Sequence, residues 1–393
     1  MGSELVRGVP RISWFANLFG VGSLSSRRGF FRDSGVPCGM PIAQLRQVSG
    51  PLQRAGNALR RWPTRRGLLL TLTDAEGRAA QGEASPLPGY SSDTLEECEA
   101  ALGALDWSRV EPLDPNRDLV SQLERQSDLL PPACPAARCA LETALLDLCG
   151  QQHGMPAWRL LSASDEVAPL AVAALVDAFQ PERLLDSAMA LVDQGFDTLK
   201  LKVGLEDSDD QLELLGELRA RVGSLVRLRF DANQIWTFKR AVRQLELLSR
   251  FEPEFVEEPC EELWTLPGSP VPLAVDESLQ ELGSLESVAD ASRRCNVRVL
   301  VLKPMTLGLV RALRIAQEAS RLGLHVIVSH TFDGPVGLSS AAALGLALGS
   351  REYASGLAPH AGLPVWPAVE LPFGATQIQP WERPGLGLPD CSP

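Results

Sequence analysis

An alternation of short β-rich runs with helix-period runs, from Val167 onward, is the feature that most constrains this chain. Eight candidate strands occupy positions 168–176, 198–204, 226–233, 255–259, 272–278, 297–304, 325–330 and 353–358. Helix-period segments between them include 181–194, 209–222, 238–251 and 308–322. Strands that alternate with helices predict a parallel sheet. Eight of them in roughly 190 residues favour a compact (β/α) barrel, a fold that usually takes ~250 residues.

The region before this alternation has a different pattern. At 393 residues the chain is too long for one ordinary core, so two domains are expected. The runs 67–73 and 79–84, joined by a turn, predict an antiparallel hairpin, and a helix is expected over 136–151. We predict an unassigned, disordered extension, an α+β domain, a barrel and a C-terminal segment that packs back, with the bounds 1–40, 41–165, 166–362 and 363–393. A start codon upstream of a true beginning near Met40 is the alternative for the extension.

The net charge and the cysteine content indicate which classes of partner and which cellular compartment to expect. A net charge of −12 and a pI near 5.0 argue against nucleic acid and anionic membranes as partners. No apolar run reaches the ~20 residues that a membrane span needs. The eight cysteines show no CxxC pair and no histidine at zinc spacing, which predicts a reduced, cytoplasmic compartment. The oligomeric state is not predicted by these features.

Lysine is rare in this chain, and arginine carries nearly all the other positive charge. The four lysines are Lys200, Lys202, Lys239 and Lys303. Three of them lie in or at the end of apolar strand-like runs, where codon bias alone would not place them. A lysine kept where arginine is otherwise used indicates a need to lose a proton near neutral pH, which a guanidinium cannot do.

Three consecutive candidate strands end in carboxylates, and the side chains expected to face inward are those of Asp231, Glu257 and Asp276. In a parallel barrel, the carboxyl ends of the strands carry the active site. Oxygen ligands without His or Cys suit a hard cation, so Mg²⁺ is expected, with Mn²⁺ able to substitute. Because strand side chains alternate, we expect Glu258 and Glu277 to point away from this cation.

The lysines and carboxylates together predict one kind of chemistry. Lys200 and Lys202 share a strand face, and each should disfavour the other's proton, so that one can act as a general base. Lys303 would approach from the opposite side of the barrel mouth. A base lysine, an opposed lysine and a metal between them suit the removal of a proton α to a carboxylate.

On these residues the chain resembles the muconate-lactonizing-enzyme-like branch of the enolase superfamily. The matching positions are Lys200, Lys202, Asp231, Glu257, Asp276 and Lys303. Within the branch, the runs 82–90, 138–148 and 329–337 are most similar to the o-succinylbenzoate synthase family. The resemblance covers about residues 41 to 375. It implies an α/β fold, a modified (β/α)7β TIM-type barrel with an N-terminal α+β capping domain.

The resemblance also implies a reaction. Lys202 would take the α proton of a small-molecule carboxylate, 2-succinyl-6-hydroxy-2,4-cyclohexadiene-1-carboxylate, in menaquinone biosynthesis. The metal and Lys303 would stabilise the enediolate, Lys200 would tune Lys202, and loss of water would aromatise the ring. The same lysines serve N-succinylamino acid racemases, dipeptide epimerases and muconate cycloisomerases, so these activities stay open. A non-catalytic barrel is a further alternative, against which the retained lysines and ligands count.

Five other residues are expected around the site. Asn233 and Arg229 share the inward face with Asp231 and are candidates to orient a ligand or a lysine. For Arg229, a structural salt bridge is the alternative. Substrate choice is expected in the capping loop near 50–66 and at the ends of strands seven and eight, where the candidates are Ser329, His330 and Gly356. For His330, core packing or capping is the alternative.

Overall fold

The computed structural model describes residues 28–29, 41–52, 56, 60–164, 166–176, 181–204, 209–349, 352–358, 374 and 376–389. The strands in these residues are β1 (Arg28–Gly29), β2 (Ile42–Pro51), β3 (Thr64–Thr73), β4 (Ala79–Ala84), β5 (Leu170–Ala171), β6 (Ala174–Leu175), β7 (Thr198–Lys202), β8 (Arg227–Asp231), β9 (Phe255–Glu257), β10 (Leu273–Val275), β11 (Val297–Leu302), β12 (His325–Val328) and β13 (Gln377–Ile378). The α-helices are α1 (Leu95–Gly103), α2 (Leu119–Ser127), α3 (Pro135–His153), α4 (Ala157–Leu161), α5 (Pro181–Asp193), α6 (Asp209–Val222), α7 (Phe238–Ser249), α8 (Ala289–Cys295), α9 (Pro304–Leu307), α10 (Leu309–Leu322) and α11 (Pro335–Leu348). None of the helices in these residues is long and apolar enough to cross a membrane.

The N-terminal strands form an antiparallel sheet in the order β1-β2-β3-β4, and α3 packs against it. The predicted hairpin joins β3 to β4, and its turn places Gly77 at φ +82. Helix α3 begins with Pro135 and ends at His153, and Gly154 follows it in the left-handed conformation, as helix capping preferences favour. Gly82 lies so close to α3 that an added Cβ would be 1.9 Å from the Ala140 carbonyl oxygen. The sheet and the helix therefore share one tightly packed core.

The second part of the chain is the predicted barrel. Seven strands form a parallel sheet in the order β12-β11-β10-β9-β8-β7-β6. The eighth position is taken by Ser355 and Gly356, which bridge to Val172 and Ser329 respectively and close the sheet. Helices follow most strands, whereas β9 is followed only by a 3₁₀ turn, Leu263–Thr265. The fold is a modified (β/α)7β barrel preceded by an N-terminal β-sheet domain.

Three predicted strands have different bounds in the structure. The run 168–176 divides into β5, which pairs antiparallel with β13, and β6, which pairs parallel with β7. Strand β9 ends at Glu257 because Glu258 has a φ of +42. Strand β10 ends at Val275, and a 3₁₀ turn begins at Glu277. Alternation of side chains therefore stops before the last acidic residues.

The described C-terminal residues contact both parts of the chain. Besides the pairing of β13 with β5, the Trp158 indole donates to the Trp381 carbonyl at 2.8 Å, and Ala157 N donates to the Gly385 carbonyl at 2.7 Å. Leu386 N donates to Oδ1 of Asp147 at 2.9 Å. Residues 1–27, 30–40 and 359–373 lie outside the described part of the chain, so the predicted domain bounds stay predictions.

Candidate active site

Lys200 and Lys202 project from β7 to the same side of the barrel sheet. Residues two apart on an extended strand share a face, whereas Leu199 and Leu201 are buried on the other face. Both ammonium groups contact the same atom, Oδ2 of Asp231, at 2.7 Å from Lys200 and 2.5 Å from Lys202. The KxK spacing therefore places two cations on one carboxylate.

The three predicted carboxylates come from consecutive positions in the sheet. Asp231 on β8 is in register with Lys202 on one side and with Glu257 of β9 on the other. Both carboxylate oxygens of Glu257 accept hydrogen bonds from Lys200 at 2.7 Å. Asp276 follows β10, and its Oδ2 is 2.5 Å from Lys303 Nζ. All three carboxylates are buried.

Lys303 lies across the barrel from the other two lysines. It follows β11, which is four strands from β7 in a barrel closed by eight strand positions. Four steps are half the circuit, so Lys303 and Lys202 approach from opposite sides, with β8, β9 and β10 between them. Only 8% of Lys303 is exposed. The structure thus brings the six predicted residues together at one end of the barrel, while their roles stay predictions.

The charges in this cluster act against the lowered pKa that was expected for Lys200 beside Lys202. Burial alone would lower the pKa of Lys200, but Asp231 and Glu257 raise it above its usual value. Burial likewise opposes a raised pKa for Lys303, and Asp276 outweighs it. Burial would raise the pKa of Asp231, yet the two ammonium groups hold it below its usual value. Carboxylates at hydrogen-bond distance therefore set the direction in which the pKa values of Lys200 and Lys303 shift.

The donor chemistry of the three carboxylates fits the predicted Mg²⁺, because they offer only oxygen atoms and are buried. The Lys200 ammonium lies 2.7 Å from both Asp231 and Glu257, so a positive charge already stands between these two side chains. Among the described residues, no group of three or more His, Cys, Asp or Glu side chains is arranged to hold a metal ion. The ligand set therefore remains a prediction. For a cation to bind between Asp231 and Glu257, the Lys200 ammonium would have to move away from these two carboxylates.

Tyr90 is a residue of the site that sequence reasoning missed. Its hydroxyl donates to Asp276 Oδ2 at 2.9 Å and accepts from Lys303 Nζ at 2.5 Å. Burial, followed by the charge of Asp276, raises the pKa of this phenol well above its usual value. The available signals were that tyrosine occurs only twice in the chain and that this one ends the run 82–90.

Asn233 connects Lys202 to a glutamate that was expected to point away. Its Oδ1 accepts from Lys202 at 2.8 Å, and its Nδ2 donates to Glu277 Oε1 at 2.9 Å. Strand β10 ends at Val275, so strand alternation does not reach Glu277, and its orientation relative to the cation stays a prediction. The Oε2 atom of Glu277 is buried without a hydrogen-bond partner among the described residues. Burial raises the pKa of Glu277 to about 7.

Glu258 does point away from the lysines. Its Oε1 accepts from the backbone N–H groups of Asp276 at 2.7 Å and Ser278 at 2.8 Å. Its Oε2 accepts from the Gln234 amide at 2.8 Å. Glu258 therefore holds the backbone that carries Asp276.

Arg229 forms a structural salt bridge, which was the alternative to a role in orienting a ligand. Its Nε donates to Glu254 Oε2 at 2.5 Å, and its Nη1 donates to the Ala354 carbonyl at 2.7 Å. Its guanidinium also lies 4.7 Å from the centre of the Phe255 ring. Glu254 precedes β9, so this ion pair lies toward the amino ends of the strands, away from the lysine cluster. The proposed role of Arg229 in orienting a ligand is not supported by these contacts.

The candidates at strands seven and eight close the barrel and line its mouth. Ser329 Oγ donates to the Gly356 carbonyl at 3.1 Å, and a Cβ at Gly356 would lie 2.6 Å from that Oγ. His330 Nδ1 accepts from Phe332 N at 3.1 Å. Burial, then the charge of Lys303, lowers the pKa of His330 to about 3, so the imidazole is neutral. Ser329 and Gly356 are thus hydrogen-bonded to each other. His330 lies where the positive charge of Lys303 acts on it.

The expected capping loop meets the barrel beside His330. The Trp62 ring lies 6.2 Å from that of Phe332, which in turn lies 6.0 Å from the imidazole of His330. Positions 53–55 and 57–59 of the loop lie outside the described residues. Trp62 is thus a described loop residue that reaches the barrel beside His330.

Comparisons with known proteins agree with this geometry. Residues 183–389 match the family described as Enolase C-terminal domain-like. An o-succinylbenzoate synthase of Thermobifida fusca (strain YX) is 38% identical over 195 residues, 48% of this chain and 58% of the length of that relative. One of Salmonella arizonae is 31% identical over 361 residues, 89% of this chain and 97% of the relative. An L-Ala-D/L-Glu epimerase of Bacillus subtilis (strain 168) is 27% identical over 72% of this chain and 78% of the epimerase.

Solved structures share the fold. A muconate lactonizing enzyme aligns with a TM-score of 0.75 at 21% identity, over 90% of this chain and 97% of that one. A dipeptide epimerase from Methylococcus capsulatus, complexed with Mg and L-Arg-D-Lys, aligns with a TM-score of 0.75 at 27% identity, over 89% and 99% of the two chains. The chain therefore belongs to the Enolase C-terminal domain-like family, in the muconate-lactonizing-enzyme-like branch of the enolase superfamily.

Proposed function

We propose that the chain is an o-succinylbenzoate synthase, a carbon–oxygen lyase that dehydrates 2-succinyl-6-hydroxy-2,4-cyclohexadiene-1-carboxylate in menaquinone biosynthesis. The observation that carries the proposal is the placement of Lys202 and Lys303 on opposite sides of the barrel, with three buried carboxylates on the strands between them. A substrate carboxylate with a base lysine on one side and an ammonium on the other is well placed to lose its α proton.

Each residue has a distinct task in this proposal. Lys202, in its neutral form, takes the α proton from one face of the substrate, and the electron pair of that C–H bond delocalises into the carboxylate. Mg²⁺, when held by Asp231, Glu257 and Asp276, supplies positive charge to that carboxylate. The ammonium of Lys303 lies beside the resulting anion. The C–O bond then breaks, the hydroxyl leaves as water with the proton that Lys202 has taken, and the ring becomes aromatic.

Two further observations support the synthase over other activities of the branch. The relative aligned over 97% of its own length is an o-succinylbenzoate synthase. The segment that closes the barrel, 353–358, contains no acidic side chain. A dipeptide substrate carries an ammonium group, and a buried ammonium requires a carboxylate partner. The succinyl group of the proposed substrate has no such requirement.

Racemisation or epimerisation is the second candidate, because Lys303 can exchange a proton on the face opposite Lys202. The similarity to an L-Ala-D/L-Glu epimerase and to a dipeptide epimerase structure favours keeping it. N-Succinylamino acids retain the succinyl group and lack a free ammonium. They are the substrates on which the two activities are best compared.

The test is a direct assay of dehydration with Mg²⁺ present, following o-succinylbenzoate by its aromatic absorbance. Wild-type protein should form product, and Lys202→Met should not. Lys239→Met is the matched control, because Lys239 lies in the first turn of α7, outside the site. Absence of product from the wild type, together with epimerisation of a dipeptide, would move the chain to the second candidate.

The cytoplasm is the compartment we propose. The six cysteines among the described residues are buried and free: Cys98, Cys134, Cys139, Cys149, Cys260 and Cys295. Free buried thiols fit a reducing environment. The proposed partner is the small-molecule carboxylate alone. Mn²⁺ is expected to replace Mg²⁺, because both are bound by oxygen ligands.

A further inference from the structure

A rigid turn carries Tyr90 from the N-terminal domain to the barrel mouth. Within it, the N–H groups of Tyr90 and Ser91 both donate to the Leu87 carbonyl, at 3.0 and 2.9 Å. Leu87 N in turn donates to Ser91 Oγ at 2.9 Å, and Gly89 adopts a φ of +70. The Trp62 indole donates to the Pro88 carbonyl at 3.0 Å. A segment with this many internal contacts holds its side chains in fixed positions.

The Tyr90 side chain ends on Lys303. Its hydroxyl is 2.5 Å from Lys303 Nζ, and the Lys303 ammonium lies 4.7 Å from the centre of the Tyr90 ring. The same hydroxyl donates to Asp276 Oδ2. Tyr90, a residue of the N-terminal domain, thus contacts two residues of the barrel site that are 186 or more positions away in the chain.

We infer that Tyr90 is a positioning residue for Lys303, which makes the placement of this lysine depend on the N-terminal domain. The inference rests on the proposed function, because it deepens the role of Lys303 in the same site. A lysine side chain has four rotatable bonds, and its ammonium must be held by several partners to keep one position. The Tyr90 hydroxyl supplies one partner that does not come from the barrel.

The kinetic test compares Tyr90→Phe with Tyr353→Phe. These are the two tyrosines of the chain, and Tyr353 packs against Phe255 and His325 instead. A hydrogen bond to a charged group accounts for roughly 10- to 100-fold in rate, so Tyr90→Phe should lower kcat by that factor with little change in KM. Tyr353→Phe should leave both constants unchanged. A wild-type kcat in Tyr90→Phe overturns the inference.

A spectroscopic test does not depend on activity. Protein labelled with [13Cζ]tyrosine gives two resonances, which Tyr353→Phe assigns by removing one. Lys303→Met should shift the Tyr90 resonance and leave that of Tyr353 in place. Lys239→Met, the matched loss of a distant lysine, should shift neither. An unshifted Tyr90 resonance in Lys303→Met shows that the two side chains do not touch, and overturns the inference.

The two tests separate this inference from the proposed function. If wild-type protein does not dehydrate the substrate, the kinetic comparison is made on α-proton exchange of an N-succinylamino acid in deuterated water. A Tyr90 resonance that responds to Lys303 then supports the positioning role while the synthase reaction fails. If wild type and Tyr90→Phe form the product at equal rates, the proposed synthase function is supported and the positioning role of Tyr90 is overturned.

Discussion

Lys202 and Asp231 lie opposite each other on neighbouring parallel strands, with the lysine Nζ 2.5 Å from Asp231 Oδ2. The same oxygen contacts Lys200 at 2.7 Å. One carboxylate therefore contacts both lysines of the KxK pair. The charge of Asp231 is one cause of the raised pKa of Lys200. If Asp231 binds a cation, its charge is shared with that cation, and its support for the Lys200 proton weakens. The account thus links metal binding to the charge that surrounds Lys202.

Metal removal tests this link. EDTA should abolish activity, and Mg²⁺ or Mn²⁺ should restore it, because in this account the cation supplies positive charge to the substrate carboxylate as it loses its α proton. Mg²⁺ at 100 times its Kd should also stabilise the fold by about 2.7 kcal/mol, measured as a rise in Tm. Asp231→Asn should lose this rise, whereas Glu261→Gln, an exposed acid, should keep it. Full turnover after exhaustive chelation would contradict the prediction.

Lys202→Arg keeps the positive charge but removes the base, since a guanidinium does not lose its proton. Removal of a general base costs ~10²–10⁴-fold, and here kcat should fall by the upper value or more. Lys239→Arg should retain nearly all activity. Steady-state kinetics of the two variants test this prediction. An equal loss of kcat in both variants would show that Lys202 is not the base.

Much of this site follows from local patterns, because strand ends in a parallel barrel converge whatever the loops do. Lys200, Lys202, Asp231 and Glu257 share the strand register that their spacing predicted. Tyr90 was beyond such reasoning, since its contact with Asp276 spans 186 positions between two domains. The link from Glu277 to Lys202 through Asn233 was missed for another physical reason. A β-strand that stops at Val275 no longer alternates its side chains, and sequence patterns locate strand ends poorly.

The salt bridge of Arg229 predicts a loss of stability rather than of catalysis. Removing one partner of a buried ion pair typically costs ~3–5 kcal/mol, because the other charge is left unpaired. Arg229→Met should therefore unfold at lower urea concentration, with kcat and KM close to wild type while folded. Arg227→Met is the control, since Arg227 is largely exposed and lies 3.8 Å from the same Glu254. A selective rise in KM in Arg229→Met would restore a role in substrate binding.

The pH dependence of stability should include a contribution from Asp147, which accepts hydrogen bonds from the backbone of Leu386 and Gln81. Burial raises its pKa to about 6. The native state then binds this proton more tightly than the unfolded state, whose Asp titrates near ~3.9. This group's stabilisation is complete below pH 4 and declines as pH rises to 6, by roughly 3 kcal/mol in all.

Urea unfolding at pH 4.5 and pH 7 checks the Asp147 prediction. Asp147→Asn does not titrate, so the wild type should gain stability relative to the variant as pH falls. A difference between the two proteins that stays constant with pH would show that Asp147 ionises normally in the native state.

Dehydration and racemisation rates, measured side by side with Mg²⁺, test the central claim most directly. The account predicts a kcat/KM for formation of o-succinylbenzoate well above that for racemising N-succinylamino acids. In deuterated water, α-exchange should be confined largely to the enantiomer whose hydrogen faces Lys202, because Lys303 acts there as a fixed cation. Racemisation with an equal or higher kcat/KM, and ready exchange of both enantiomers, would contradict the account and identify a racemase.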